Sequence, residues 1–296
     1  MIQQRRIGVV PSSLNAAKKL TQPTGFSQAL KVLDAVQTRH ALPMEIVSLD
    51  QVSSAGQLAS ASHELQAVLV EDSVPEAWFS TLAPSGSVQV APFLEAGASQ
   101  ASLLIWPEAA TQDSVLEAGW LQSSFVSKAS FDAAVLLAKQ AAAERAGGEI
   151  GWVRASSGDR DRSMAARLRS QAADAPLYPV SDFDLVSRAH SRKPRTAARV
   201  LICDPLAGPT LARTLGSSAR VHRIEPALLA LQFSNSGLSS AVLGVAFLLD
   251  RLGFVSQGAG LERALQSAIA AVPADAPDAE SQIEAAFARL WSGIDG

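Results

Sequence analysis

Short apolar runs alternate with longer amphipathic segments along this 296-residue chain, and that alternation most constrains its fold. Apolar runs at residues 7–10, 44–49 and 66–70 have the length of buried strands. Between the first two, in 26–40, apolar residues recur every three or four positions, as on one face of a helix. Because a strand, a helix and a strand in this order imply parallel crossovers, the sequence predicts an α/β fold around a mixed or parallel sheet.

The same reading assigns elements to most of the remaining chain. Further strands are predicted at 87–90, 102–105, 150–153 and 200–203. Helices are predicted near 130–145, 163–172 and 206–215. The remainder is predicted to be helical, in three apolar-striped segments that glycines and prolines separate: 238–252, 261–271 and 280–290.

Composition narrows the class of protein. With 48% hydrophobic and 18% charged residues, the chain has the make-up of a globular domain rather than a disordered one. Its most apolar stretch, 238–249, falls short of a membrane span and predicts a buried helix. The single cysteine, Cys203, excludes an internal disulfide and ends an apolar strand, as a core residue would. Together with a polar start unlike a secretory signal, this predicts a cytoplasmic protein.

Positive charge is concentrated in one part of the chain. Residues 150–225 contain 13 Lys and Arg against 7 Asp and Glu, a net charge of +6 (13 − 7), whereas the whole chain carries −3 (25 − 28). One interpretation is an anionic partner, and the other is a solvated basic face with a loop at 187–198. Aromatic residues are not interleaved with the basic ones as in single-strand binders, so nucleic acid is not expected as the partner.

Three segments, in order along the chain, resemble the isocitrate/isopropylmalate dehydrogenase family. They are RIGVVP at 6–11 with ALKVLDAV at 29–36, then VSKAS at 126–130 with GWVR at 151–154, and then LAGPTLAR at 206–213 with the stretch 221–235. The resemblance spans most of the chain. It implies the fold of that family, whose members oxidise a 2-hydroxy acid with NAD or NADP and decarboxylate it with a divalent metal.

The resemblance also implies an organisation into two subdomains. The first would comprise residues 1–97 and 217–296, and the second, inserted one would comprise residues 98–216. Relatives pair as homodimers through the inserted subdomain, so we expect a homodimer here. Leu136, Leu137 and Ala141, on the helix predicted at 130–145, are expected to contribute to the dimerisation surface.

The positions that the resemblance assigns to catalysis carry other residues. Matched residue by residue, the two metal-binding aspartates fall on Pro209 and Arg213. Neither supplies the oxygen ligands that Mg²⁺ or Mn²⁺ requires, and Arg213 brings a positive charge. The catalytic lysine falls on Ala155, and the only tyrosine, Tyr178, lies outside the matching segment. A decarboxylation would lack its electron sink, so we assign neither a metal nor a catalytic residue.

Four residues are candidates for binding. His222 and Asn235 match the histidine and the adenine-contacting asparagine of the family's cofactor loop, so NAD or NADP binding stays open beside a surface or capping role. Arg154 is expected at the carboxyl end of a strand, where ligands bind in open α/β sheets. A structural ion pair is the alternative for Arg154. Arg154 and Arg213 are predicted to converge on the family's active-site cleft and to hold a small anionic metabolite there or, failing that, to face an acidic residue such as Asp204.

Two functions follow from these residues. The first is a pseudoenzyme, a binding or regulatory protein derived from a dehydrogenase, that holds a small anion or a partner chain in the cleft. The second is an active NAD(P)-dependent oxidoreductase that acts on a 2-hydroxy carboxylic acid with replaced catalytic groups. Fold analogy alone does not choose between them. The replaced residues favour the first function.

Overall fold

A computed structural model describes residues 4–10, 25–71, 74, 78, 88–94, 101–116, 119–144, 149–154, 159–181, 185–186, 200–215, 219–224, 228–233, 237–273 and 276–293. Of these, residues 109–125, 154, 159–161, 219–224, 228–229 and 292–293 are described by their backbone alone. Strands and helices alternate along much of this part of the chain, as the apolar pattern predicts.

The strands are β1 (Arg5–Val10), β2 (Met44–Ser48), β3 (Ala67–Glu71), β4 (Val88–Phe93), β5 (Ser102–Pro107), β6 (Ala109–Leu116), β7 (Gly119–Val126), β8 (Ile150–Arg154), β9 (Leu177–Ser181), β10 (Val200–Cys203), β11 (Ala219–Ile224) and β12 (Leu228–Phe233). The helices are α1 (Gly25–His40), α2 (Ala55–Ser62), α3 (Lys128–Glu144), α4 (Asp159–Gln171), α5 (Gly208–Thr214), α6 (Leu238–Arg251), α7 (Val255–Ala271) and α8 (Ala279–Gly293).

Ten of the strands form one mixed sheet in the order β2-β1-β3-β12-β11-β4-β5-β10-β8-β9, and β6 pairs with β7 in a separate two-stranded sheet. Two sets of neighbouring strands in the large sheet are parallel: β2, β1, β3 and β12 on one side, and β5, β10, β8 and β9 on the other. At its centre β12, β11, β4 and β5 are successively antiparallel. Three reversals separate β12 from β10, so β10, β8 and β9 run opposite to β1, β2, β3 and β12.

Helices cover both faces of the sheet. On one face, α1, α3 and α6 pack on the strands in a continuous hydrophobic core that also includes α7 and α8. Helix α6 lies at its middle, where 11 buried residues contact β4, β11 and β12 and also α1 and α7. On the other face, α5 covers β5 and β10, and Leu58 of α2 packs against β1 and β3. The result is a three-layer α/β/α arrangement.

Most predicted elements are confirmed, and a few need correction. The prediction that the chain after residue 215 is entirely helical is wrong, because β11 and β12 precede the three helices. The pattern also gave no indication of α2, of the β6–β7 hairpin or of β9. For β11 and β12, the sheet partners β4 and β3 are distant in sequence, so a local pattern gives only a weak signal. No helix in the described part of the chain is long and apolar enough to span a membrane.

The expected boundary at 97/98 falls between β4 and β5, which pair with each other in the sheet. The division into two subdomains stays a prediction. Part of the dimerisation surface expected on α3 is not available. Leu137 and Ala141 are 3% and 0% exposed and belong to the core beneath β5 and β10. The prediction that these two residues contact a partner is therefore wrong. Leu136, which is 51% exposed, remains available.

Two glycines of α7 provide a test of this packing. A Cβ atom on Gly258 would lie 2.7 Å from the backbone oxygen of Ala246, whereas one on Gly260 would meet no atom within 4 Å. We expect Gly258→Ala to lower the free energy of unfolding by about 1–3 kcal/mol, because α7 must move away from α6. Gly260→Ala, the matched control, should be neutral or stabilising by up to about 1 kcal/mol. Urea denaturation of both variants measures the difference, and equal effects would contradict the close helix contact.

Candidate functional site

The carboxyl ends of β8 and β10 form the edge of the sheet where the sequence predicts a site. The two strands are parallel neighbours, and Cys203 is in register with Val153. Arg154, the last residue of β8, and Asp204, which follows β10, therefore stand at the same level of this edge. Ligands of open α/β sheets bind outside such carboxyl ends.

A tight turn leads from β10 into α5 at this edge. The Asp204 carboxylate accepts a hydrogen bond from the backbone N–H of Leu206 at 2.7 Å, and its carbonyl accepts from Gly208 at 2.9 Å. Gly208 is required here, because a Cβ atom would lie 2.5 Å from the ring of buried Trp106. Pro209 follows within the first turn, where its fixed φ suits a helix start.

Helix α5 presents Pro209 and Arg213 on one face, since residues four apart are neighbours on a helix. The opposite face packs Leu211 and Ala212 against the sheet. Arg213 is exposed, and its Nε donates to the Pro209 carbonyl at 3.2 Å. A proline and a solvent-accessible guanidinium thus stand at the two positions that the resemblance assigns to metal ligands. The backbone of Arg154 lies at the expected strand end.

Cys203 is a core residue, as its sequence context predicts. Its side chain is fully buried among residues of β5 and α5. Burial raises the pKa of the thiol well above its usual value, and the neighbouring Asp204 acts in the same direction. A thiol held neutral in this way is not a nucleophile.

The expected cofactor loop is largely a β-hairpin. His222 lies within β11, where its backbone pairs with Ala230 of β12 and Gln89 of β4. The expectation that residues 221–235 form a loop is wrong for residues 221–224 and 228–233, because these belong to β11 and β12 near the centre of the sheet. Asn235 lies outside the described residues. Since β12 runs opposite to β10, the carboxyl end of β12 lies at the other end of the sheet from Arg154 and α5.

Part of the basic segment has a structural role. Arg167 of α4 forms a 3.1 Å ion pair with Asp132 of α3, which also accepts a 2.5 Å hydrogen bond from Gln171. Arg162 and Arg169 are exposed and line a cavity of about 330 Å³ between α4 and strands β8 and β9. Among the described residues, no three His, Cys, Asp or Glu side chains are grouped so that they could hold a metal ion.

Comparison with known proteins identifies the fold. No protein-family model and no curated protein matches the sequence. The structure resembles the apo crystal structure of a β-decarboxylating dehydrogenase from Thermococcus kodakarensis, with a TM-score of 0.65, 14% sequence identity and coverage of 98% of this chain and 97% of that one. It also resembles isocitrate dehydrogenase from Methylococcus capsulatus, with a TM-score of 0.66, 12% identity and coverage of 97% and 99%.

At these identities the likeness shows the fold alone. The chain has the fold of the isocitrate dehydrogenase-type β-decarboxylating dehydrogenases over nearly its whole length. The predicted fold class is confirmed. The roles predicted for Arg154, Arg213, His222 and Asn235 stay predictions.

The ion pair of α3 and α4 should be visible in the pH dependence of stability. The pKa of Asp132 is lowered, first by the hydrogen bond from Gln171 and then by Arg167. A carboxyl group with a lowered pKa in the folded state stabilises the protein above its unfolded pKa, and that contribution is lost as pH falls through the folded value. We expect Asp132→Asn to be destabilising at pH 7 and nearly neutral at pH 2.5, as measured by thermal unfolding. An equal loss at both values would contradict an electrostatic role.

Proposed function

We propose that this protein is a pseudoenzyme with a dehydrogenase fold that binds a small anionic metabolite at the carboxyl ends of β8 and β10. One observation carries the proposal. Helix α5 follows β10 after a tight turn and presents Pro209 and the exposed Arg213 at the positions that the resemblance assigns to metal ligands. A negatively charged segment of a partner chain is the alternative occupant, because it too would suit the positive charge at these strand ends.

The charge of Arg213 opposes a divalent cation. Mg²⁺ and Mn²⁺ require several oxygen ligands in near-octahedral geometry, and a proline side chain offers none. A guanidinium about 4 Å from a dication would add repulsion on the order of several kcal/mol at the effective dielectric of a protein surface. A metal-assisted decarboxylation at this helix would therefore need ligands from elsewhere.

The course of the chain near α6 argues against the second candidate, an NAD(P)-dependent oxidoreductase. Only four residues, 234–237, connect β12 with α6, and β11 and β12 occupy most of the stretch matched to the cofactor loop. A loop that wraps a dinucleotide needs free backbone N–H groups and room. The backbone groups of His222 are instead engaged in the centre of the sheet.

An anion suits the same edge. Guanidinium groups bind carboxylates and phosphates through paired hydrogen bonds, and Arg213 is accessible to solvent for such contacts. Arg154 ends the adjacent strand, and both arginines belong to the segment of net charge +6. The Asp204 carboxylate between the two elements already accepts a hydrogen bond from Leu206. We further propose a cytoplasmic homodimer in which the exposed Leu136 contributes to the contact.

Ligand-induced thermal stabilisation tests the proposal. We expect isocitrate, citrate or phosphate to raise the melting temperature, because a ligand that binds only the folded state stabilises it by mass action. Mg²⁺, Mn²⁺, NAD and NADP should give no shift. Arg213→Ala should lower the affinity for the anion about tenfold or more, which is the effect of losing one charged hydrogen bond.

Arg289→Ala is the matched control. Arg289 is also exposed on a helix, and its Nε also donates to the carbonyl four residues earlier at 3.2 Å. Equal effects of the two substitutions would mean that any exposed arginine suffices and would refute the site. Micromolar binding of Mn²⁺ by calorimetry, or reduction of NAD or NADP with a 2-hydroxy acid, would instead support an active dehydrogenase.

A further inference from the structure

The cavity of about 330 Å³ between α4 and the strands β8 and β9 has no role in the proposed function. It lies on the face of the sheet that α3 and α4 cover, because Trp152 and Leu168, which line it, belong to the core on that face. Helix α5 packs on the opposite face, so the cavity is separate from Arg213. Its volume is within the range of small-molecule sites.

The packing of α4 leaves one side of this helix facing the cavity. On the other side, Arg167 and Gln171 both donate hydrogen bonds to the Asp132 carboxylate of α3, at 3.1 and 2.5 Å. Ala165 and Arg169 are four residues apart, so they are neighbours on the helix surface, and both line the cavity. Helix α4 is thus held against α3, while a small residue stands at the centre of the side that faces β9.

The sheet supplies an apolar floor. Trp152 of β8 and Pro179 of β9 are in register, and both line the cavity together with Leu177. Leu177 and Pro179 are two residues apart on one strand, so their side chains lie on the same face of the sheet. Proline has no backbone N–H, so β9 offers no main-chain donor at this position. Because Leu168 and Ala165 add apolar atoms from α4, a ligand that fills the cavity needs an apolar body.

Arg169 gives the cavity a hydrogen-bond donor. Its side chain is exposed and lines the cavity beside Ala165. Arg162 also lines the cavity but already interacts with another residue, so Arg169 is the donor that a ligand would meet. A guanidinium only donates hydrogen bonds, and its fork of N–H groups matches the two oxygens of a carboxylate. Any group that Arg169 binds must therefore supply acceptor oxygens.

We propose that this cavity binds a small carboxylate with an apolar body. The carboxylate accepts paired hydrogen bonds from Arg169. The apolar body lies between Ala165 of α4 and the floor formed by Trp152, Leu177 and Pro179. This site is independent of the proposed function and requires no dehydrogenase chemistry.

Isothermal titration calorimetry with 2-naphthoate, an aromatic carboxylate, tests the site in the full chain. The wild-type protein should bind one molecule, and the neutral analogue 2-naphthamide should bind about tenfold more weakly. Ala165→Leu fills the cavity and should lower the affinity for 2-naphthoate at least tenfold. Ala166→Leu is the matched control, because Ala166 is the next residue of the same helix, is exposed and does not line the cavity. This variant should bind as the wild type does.

The role of the guanidinium is tested separately. Arg169→Met keeps an apolar stem and removes the donors, so it should lower the affinity for 2-naphthoate about tenfold and that for 2-naphthamide much less. Arg213→Ala should leave the affinity for 2-naphthoate unchanged, because Arg213 belongs to the proposed anion site. Loss of binding in Arg213→Ala would assign the probe to that site, and would overturn this proposal while leaving the proposed function intact.

Three further results would overturn the proposal. They are unchanged affinity in Ala165→Leu or Arg169→Met, equal affinity of the wild type for the two probes, and no saturable binding of 2-naphthoate. Equal losses in Ala165→Leu and Ala166→Leu would likewise count against the cavity. Circular dichroism confirms that each variant is folded.

Discussion

The burial of helix α6 is the interaction on which the rest of the structure depends. Its 11 buried residues pack on the antiparallel centre of the sheet and simultaneously on α1 and α7. Full burial of one large aliphatic side chain contributes about 1.5–3 kcal/mol, so this single helix holds the central strands β4, β11 and β12 together with α1 and α7. Gly258 allows α7 to approach the backbone of Ala246.

The reversal of strand direction at the centre of the sheet decides which strand ends lie together. Because β10 and β8 run opposite to β12, their carboxyl ends lie at the opposite end of the sheet from the carboxyl end of β12. Arg154 and the start of α5 therefore lie at the opposite end of the sheet from Phe233, the last residue of β12. A cofactor loop spread over the residues of β11 would have to break the pairing with both β4 and β12.

The arginines divide into two groups with different roles. Arg6 pairs with Glu45 and Glu64, Arg167 with Asp132, and Arg251 with Glu144 and Asp250, so these charges join elements of the fold. Arg213 and Arg169 are exposed beside a strand edge and in a cavity. The proposed anion site rests on Arg213, because a guanidinium that is accessible to solvent is available to a ligand.

The sequence by itself determined the α/β class, most strands and helices, the core position of Cys203 and the presence of Pro209 and Arg213 at the positions that the resemblance assigns to metal ligands. Each of these is local, because apolar periodicity reports which face is buried and a motif reports its own residues. Only the tertiary structure placed β11 and β12 in the sheet, since strand pairing depends on partners distant in sequence. The tertiary structure alone also brought Trp152, Ala165 and Arg169 together, because a helix must pack on the sheet before residues of both can line one cavity.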